Sequence, residues 1–112
     1  MLHLKKSKQY SIQLNKYIPG GAHTYSKGDD QFPFLSPSAI SHGKNAWIWD
    51  VDGNKYLEWG MGLTSISLGH SNTKVNKAVC KEIKNGVNFS RPAKIELKAA
   101  KFFLKILQII MI

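Results

Sequence analysis

The sequence predicts an α+β fold built from an N-terminal helix, a long loop, a β-hairpin and two amphipathic helices. Three observations carry that expectation. Residues 46–50 and 55–59 are aromatic and β-branched runs that flank Val51-Asp52-Gly53-Asn54, where Asp-Gly supplies the positive φ of a tight hairpin turn. Val75, Val79 and Ile83 recur at helical spacing, with Lys74, Lys77, Lys81 and Lys84 on the opposite side. Ile95, Ala99, Phe102, Phe103, Ile106 and Ile110 form one helical face, and Lys94, Lys98, Lys101 and Lys105 make a narrow stripe across from it.

Taken in order, residues 5–17 read as a short helix with Tyr10, Leu14 and Tyr17 on one face, stopped by Ile18-Pro19-Gly20-Gly21. Residues 18–45 show no period and are long for a plain connector, so they suggest a binding loop or a cover over another surface. The hairpin occupies residues 46–59. Residues 60–70 are punctuated by Gly60, Gly62 and Gly69 and read as irregular, with small residues that let the backbone approach a neighbour closely. Ser71 or Asn72 can cap a helix over residues 72–86 that ends at Asn85-Gly86. The last helix, residues 93–110, starts after Arg91-Pro92. Residues 106–112 lose the polar face apart from Gln108, an atypical apolar end that is expected to mark a truncation.

Composition narrows the function classes. A chain of 112 residues is one domain's worth of length, too short for a two-domain enzyme with a cofactor cleft between its lobes. With 43% hydrophobic and 21% charged residues it is neither a disordered tail nor a repeat protein. Sixteen Lys+Arg against seven Asp+Glu give +9, but Arg91 is the only arginine, and lysine excess alone is a weak nucleic-acid signal. The stripes read as solvated faces of amphipathic helices. Phe102 to Ile112 holds nine apolar residues in eleven, short of the roughly 20 that span a bilayer. No membrane segment or export signal is expected, and the expected location is the cytoplasm.

The reactive residue types point to little chemistry by themselves. Cys80 is alone, which excludes an internal disulfide framework, and its mid-helix position suggests an inert packed thiol. His3, His23, His42 and His70 lack metal-ligand spacing, so no metal is expected. His70 follows Gly69 at a junction, where a local hydrogen bond is its default role. Asp50, Asp52 and Glu58 lack EF-hand spacing, and turn chemistry accounts for Asp52-Gly53.

The ordered string of Ile18-Pro19-Gly20-Gly21, then Trp47 through Glu58, then Leu68-Gly69-His70, then Glu96, resembles the N-terminal segment of class III pyridoxal-phosphate aminotransferases. Within that class it looks most like the glutamate-1-semialdehyde 2,1-aminomutases, over residues 1–105. The resemblance implies an incomplete piece of the type I pyridoxal-phosphate-dependent transferase fold. It implies pyridoxal 5'-phosphate as cofactor of the full-length enzyme, a small-molecule substrate and a homodimer.

By position, Thr24 falls where the aminomutases have a serine and Lys27 where they have an arginine, so the resemblance implies substrate-binding roles for both. Leu63 falls where they have an active-site tryptophan. Such an enzyme needs a Schiff-base lysine, an aspartate for the pyridinium nitrogen and a phosphate cup; none is expected in this chain, and in the family the lysine lies far downstream of this segment. No catalytic or cofactor-binding residue is therefore assigned, and this chain alone is expected to be inactive and to hold no cofactor. The alternative from another class is a free-standing basic module whose lysine stripes bind an acidic partner or nucleic acid.

Overall fold

The computed structural model describes residues 2–110, apart from the Ile110 side chain; the expected apolar end is thus covered only to Ile110, and Met111 and Ile112 lie outside. The chain divides into two compact units, Met1–Asn76 and Lys77–Ile112.

In the first unit, α1 spans Lys5–Tyr17 and ends where Pro19 and two glycines at positive φ, Gly20 at 73° and Gly21 at 71°, turn the chain away. Such φ values favour glycine because a Cβ crowds the backbone there. The expected irregular loop over residues 18–45 is corrected by the structure. It holds short 3-10 turns at Pro19–Gly21, Tyr25–Lys27 and Asp29–Gln31, and a strand, β1, at Ile40–Lys44. Ile40-Ser41-His42-Gly43-Lys44 has no apolar alternation, so pairing with its neighbour makes it a strand where side-chain periodicity could not.

The hairpin strands are shorter than the runs that announced them: β2 is Trp47–Asp50 and β3 is Lys55–Leu57. The sheet is antiparallel in the order β1-β2-β3, with His42 opposite Trp49, Trp49 opposite Lys55 and Ile48 opposite Tyr56. Register breaks between Ile40 and His42, a bulge that bends the edge strand. Cross-strand partners pack on one another. The His42 ring stacks on Trp49 at 4.8 Å, and the Lys55 ammonium lies 4.1 Å from the Trp47 ring and 5.4 Å from Trp49.

α2 is Thr73–Glu82, shorter than the expected 72–86 because its end tightens into a 3-10 turn at Ile83–Asn85 before Gly86 at φ 93°. Its cap is Asn72, whose Oδ1 accepts from Lys74 N at 3.0 Å and Val75 N at 3.2 Å. In the second unit, α3 runs Lys94–Ile110. No helix among the described residues is long and apolar enough to cross a membrane. Cys80 is exposed, against the expectation of a packed thiol, because nothing in its unit covers that helix.

The described residues contain no buried hydrophobic side chain; the buried side chains are Ser7 and Asp50, each 1% exposed. The apolar stripes read from the sequence are present but uncovered. Tyr10 and Tyr17 on α1, Val75 and Val79 on α2, and Phe102, Phe103 and Ile109 on α3 are all exposed. Covering one such side chain is worth about 1.5–3 kcal/mol. The isolated chain should therefore self-associate, and light scattering across a dilution series should show mass rising with concentration; a monodisperse monomer with a cooperative melt would contradict this.

Candidate functional site

The hairpin turn organises the first unit. Asp50 Oδ1 accepts from Asp52 N at 2.9 Å and Asn54 N at 2.8 Å, and its Oδ2 accepts from Asn54 Nδ2 at 2.7 Å and Tyr56 OH at 2.9 Å. Burial works to raise this carboxyl, but those hydrogen bonds outweigh it and hold it below the usual aspartate range. Burial and the Asp50 carboxylate push the Tyr56 hydroxyl up to about 12, so it remains a donor.

Asp52 does more than make a turn. Its carboxylate accepts from Lys6 N at 2.8 Å and Ser7 N at 2.7 Å, capping α1 from 46 and 45 residues away. Asn54 Nδ2 also donates to His3 O at 2.6 Å. Hydrogen bonds from Lys6 and Ser7 hold the Asp52 carboxyl below its ordinary range, against the opposing effect of desolvation. No local signal marks this cap, since Leu4, the residue at the helix boundary, offers no side-chain hydrogen bond.

The sequence-predicted site residues lie just after α1. Thr24 is extended and Lys27 closes the next 3-10 turn, with Lys27 N donating to Thr24 O at 3.0 Å; both side chains are exposed. The turn is fixed at both ends. Buried Gly28 passes so close to Gly20 that a Cβ there would sit 2.9 Å from the Gly20 carbonyl oxygen. Asp29 is tied to α1 by Ser11 Oγ, which donates to Oδ2, and by Asn15 Nδ2 at 3.1 Å. Beside this tether a cavity of about 390 Å³ opens between α1 and the loop, lined by Ser7, Lys8, Ser11, Phe32, Pro33 and Phe34 among others.

The glycine-rich segment is ordered around Glu58. Its Oε1 accepts from Gly62 N at 2.9 Å and its Oε2 from His70 Nε2. Burial favours the neutral acid, but His70 and the Gly62 amide prevail and keep the carboxyl below the usual range. The local hydrogen bond expected of His70 thus goes to a carboxylate twelve residues earlier. Leu63 lies in this segment, at φ 57° and half-exposed.

The helix N-termini are each engaged by the chain's own side chains: Asp52 at α1, Asn72 at α2, and Glu96 at the start of α3, where it accepts from Ala93 N at 2.6 Å. Among the described residues no group of three His, Cys, Asp or Glu could hold a metal ion.

The chain is similar to known proteins. The family model for aminotransferase class-III matches residues 25–111. Glutamate-1-semialdehyde 2,1-aminomutase 1 of Listeria welshimeri is 31% identical over 105 residues, which is 94% of this chain and 24% of that protein. The chain thus spans about a quarter of the length of that curated relative. Among solved structures, a transaminase with PLP bound superposes with a TM-score of 0.76 at 21% identity, over 90% of this chain and 23% of the other. A glutamate-1-semialdehyde aminomutase from Pseudomonas aeruginosa gives 0.72 at 21% identity, over 84% and 20%. At those identities the superpositions establish the fold: a mixed helix and antiparallel-sheet piece of a larger transaminase structure.

The lowered carboxyls of Asp50, Asp52 and Glu58 set the pH response of this region. A carboxyl with a depressed folded pKa binds its proton more readily when unfolded, so its contribution is complete above the ordinary carboxylate range and lost as pH falls through the lower folded value. Tryptophan fluorescence should therefore hold steady from neutrality to about pH 4 and change below it. Tyr56 carries the opposite sign: its contribution is full below about pH 10 and fades as pH rises through its folded value near 12. A fluorescence transition centred above about pH 5 would contradict the assignment.

Proposed function

The chain belongs to the class III aminotransferases, and on that premise we propose that it forms the substrate-entrance segment of an enzyme that moves an amino group on an amino-acid-like substrate, with 2,1-aminomutase as the nearest label. The observation that carries this reading is the tethered turn bearing Thr24 and Lys27. An exposed hydroxyl and an exposed ammonium three residues apart, fixed between the Gly20–Gly28 contact and the Asp29 anchor, make a charge-assisted site for a carboxylate. Lysine offers a point cation where a bidentate arginine fork would grip both oxygens, so the contact is less directional. Leu63 adds an aliphatic surface in place of a stacking ring.

The cofactor of the full-length enzyme is pyridoxal phosphate in this reading, supplied with its binding groups by the rest of the fold. The residues described here do not fit it. A phosphate cup needs helix N-terminal amides turned toward a ligand, whereas amides at the three helix starts are bound by Asp52, Asn72 and Glu96. The one lysine on the 390 Å³ cavity, Lys8, has its ammonium 5.8 Å from the Phe34 ring, facing an aromatic and not an anion site. No catalytic step is assigned to this chain. A homodimeric, cytoplasmic enzyme completes the proposal; nothing observed favours the basic-module alternative.

Two measurements test it. The chain alone, mixed with pyridoxal phosphate and desalted, should keep no stoichiometric aldimine absorbance; a retained chromophore would overturn the division of labour. In the enzyme containing this segment, Lys27→Ala should raise KM about tenfold to a hundredfold with kcat little changed, as expected for a charge-assisted hydrogen bond of about 1.5–3 kcal/mol made equally in ground and transition states. Unchanged KM would remove Lys27 from the site.

A further inference from the structure

We propose that Glu58 and His70 form a latch that holds Met61–Thr64 in a left-handed turn those residues would not adopt unaided, making the segment a two-state element that is released when the Glu58 carboxylate is neutralised. The backbone supplies the first observation. Met61, Gly62, Leu63 and Thr64 have φ of 45°, 56°, 57° and 68°, four successive left-handed residues of which only one is glycine. L-residues enter that region singly, because the Cβ approaches the following carbonyl, and a β-branched threonine is a marked outlier there. The turn's own hydrogen bonds are Thr64 N to Gly60 O at 2.9 Å, Ile66 N to Met61 O at 2.8 Å and Ser65 Oγ to Gly62 O at 2.6 Å, only two of them between backbone groups. Strain of this kind persists only where surrounding structure imposes it.

The second observation is what imposes it. Glu58, at the end of the hairpin, reaches into the turn and accepts from Gly62 N at 2.9 Å, while its other oxygen accepts from His70. His70 is itself fixed. Its backbone exchanges two hydrogen bonds with Asn45, at 2.9 and 2.8 Å, and its ring packs where a Cβ on Gly43 would lie 2.6 Å from His70 Cγ. One half-buried carboxylate therefore joins the turn to the sheet. Beside it lies a cavity of about 110 Å³, lined by Ala46, Met61, Ile66 and Ser67 as well as the pair, into which the turn can relax. Glu58 and His70 are the titratable groups on that lining, and nearby Lys44 on β1 is directed to Ser71 O at 3.1 Å. Protonation of Glu58, or its capture by a cation, removes the acceptor charge that binds Gly62 and His70 together. The side chain repositioned by release is that of Leu63.

Residue-resolved hydrogen–deuterium exchange on the full chain at one neutral pH tests the proposal, comparing the wild type with Glu58→Gln, a mimic of the protonated acid. The amides of Gly62, Thr64 and Ile66 should exchange about tenfold or more faster in the variant, while the Ile48–Tyr56 ladder keeps its protection. Adding Leu63→Gly, which places glycine at a φ that favours it, should restore most of the protection at Thr64 and Ile66. Equal exchange of the three amides in wild type and Glu58→Gln overturns the latch, as does a double variant no better protected than Glu58→Gln. Should Glu58→Gln also loosen the Ile48–Tyr56 ladder, Leu63→Gly alone decides: it should slow Thr64 and Ile66 relative to wild type, and no slowing overturns the proposal.

Discussion

A single buried carboxylate organises the first unit of this chain. Asp50 gathers two backbone amides, an amide side chain and a phenol, so every residue of the turn from Asp52 to Tyr56 except Gly53 and Lys55 is tied to it. A buried charge is costly unless its lone pairs are filled, and here four donors fill them. Because Asp50 settles the turn, Asp52 is aimed outward at the first helix, and because Asp52 caps that helix, the loop anchored on Ser11 and Asn15 has a fixed base. The location of Thr24 and Lys27 follows from that chain of polar contacts, and not from any apolar core.

The readable features were those whose cause is local. Pro19-Gly20-Gly21 stops α1 because φ above zero is cheap only for glycine, and the Asp52-Gly53 turn and the Asn72 cap are likewise decided within a few residues. β1 escaped because Ile40–Lys44 carries no alternation and is a strand only by virtue of its partner. The cap of α1 by Asp52 and the pairing of Glu58 with His70 escaped for the same reason at longer range. Asp52 had a sufficient local explanation in its turn, Glu58 carried no signal of a partner, and nothing in spacing distinguishes an aspartate that merely turns from one that also reaches 46 residues back. Thr24 and Lys27 were placed by family resemblance alone, as exposed loop residues without a periodic or electrostatic signature.

The apolar periodicity of α2 and α3 was correct about helix formation and silent about burial. A stripe such as Val75, Val79 and Ile83 says which side of a helix seeks cover, but cover must come from another element. Here the described residues supply none, and the solved structures that superpose on the chain are four to five times its matched length, with 20–24% of each covered. The polar scaffold at the hairpin and the uncovered helical faces therefore do different jobs: one sets internal geometry, the other presents surface.

The span between Asp52 and the start of α1 bears on the order of events during synthesis. A ribosome delivers the helix residues first, and the carboxylate that binds the Lys6 and Ser7 amides emerges some 45 residues later. An isolated helix of 13 residues is marginal in water, so α1 is only transiently formed while the loop is being made. It becomes lasting once the Asp50 turn has closed and swung Asp52 into reach, at a loop-closure cost that grows only slowly with length. The first helix in the chain is thus among the later elements to be secured, and a pause in translation before Asp52 would leave it unformed and open to proteases.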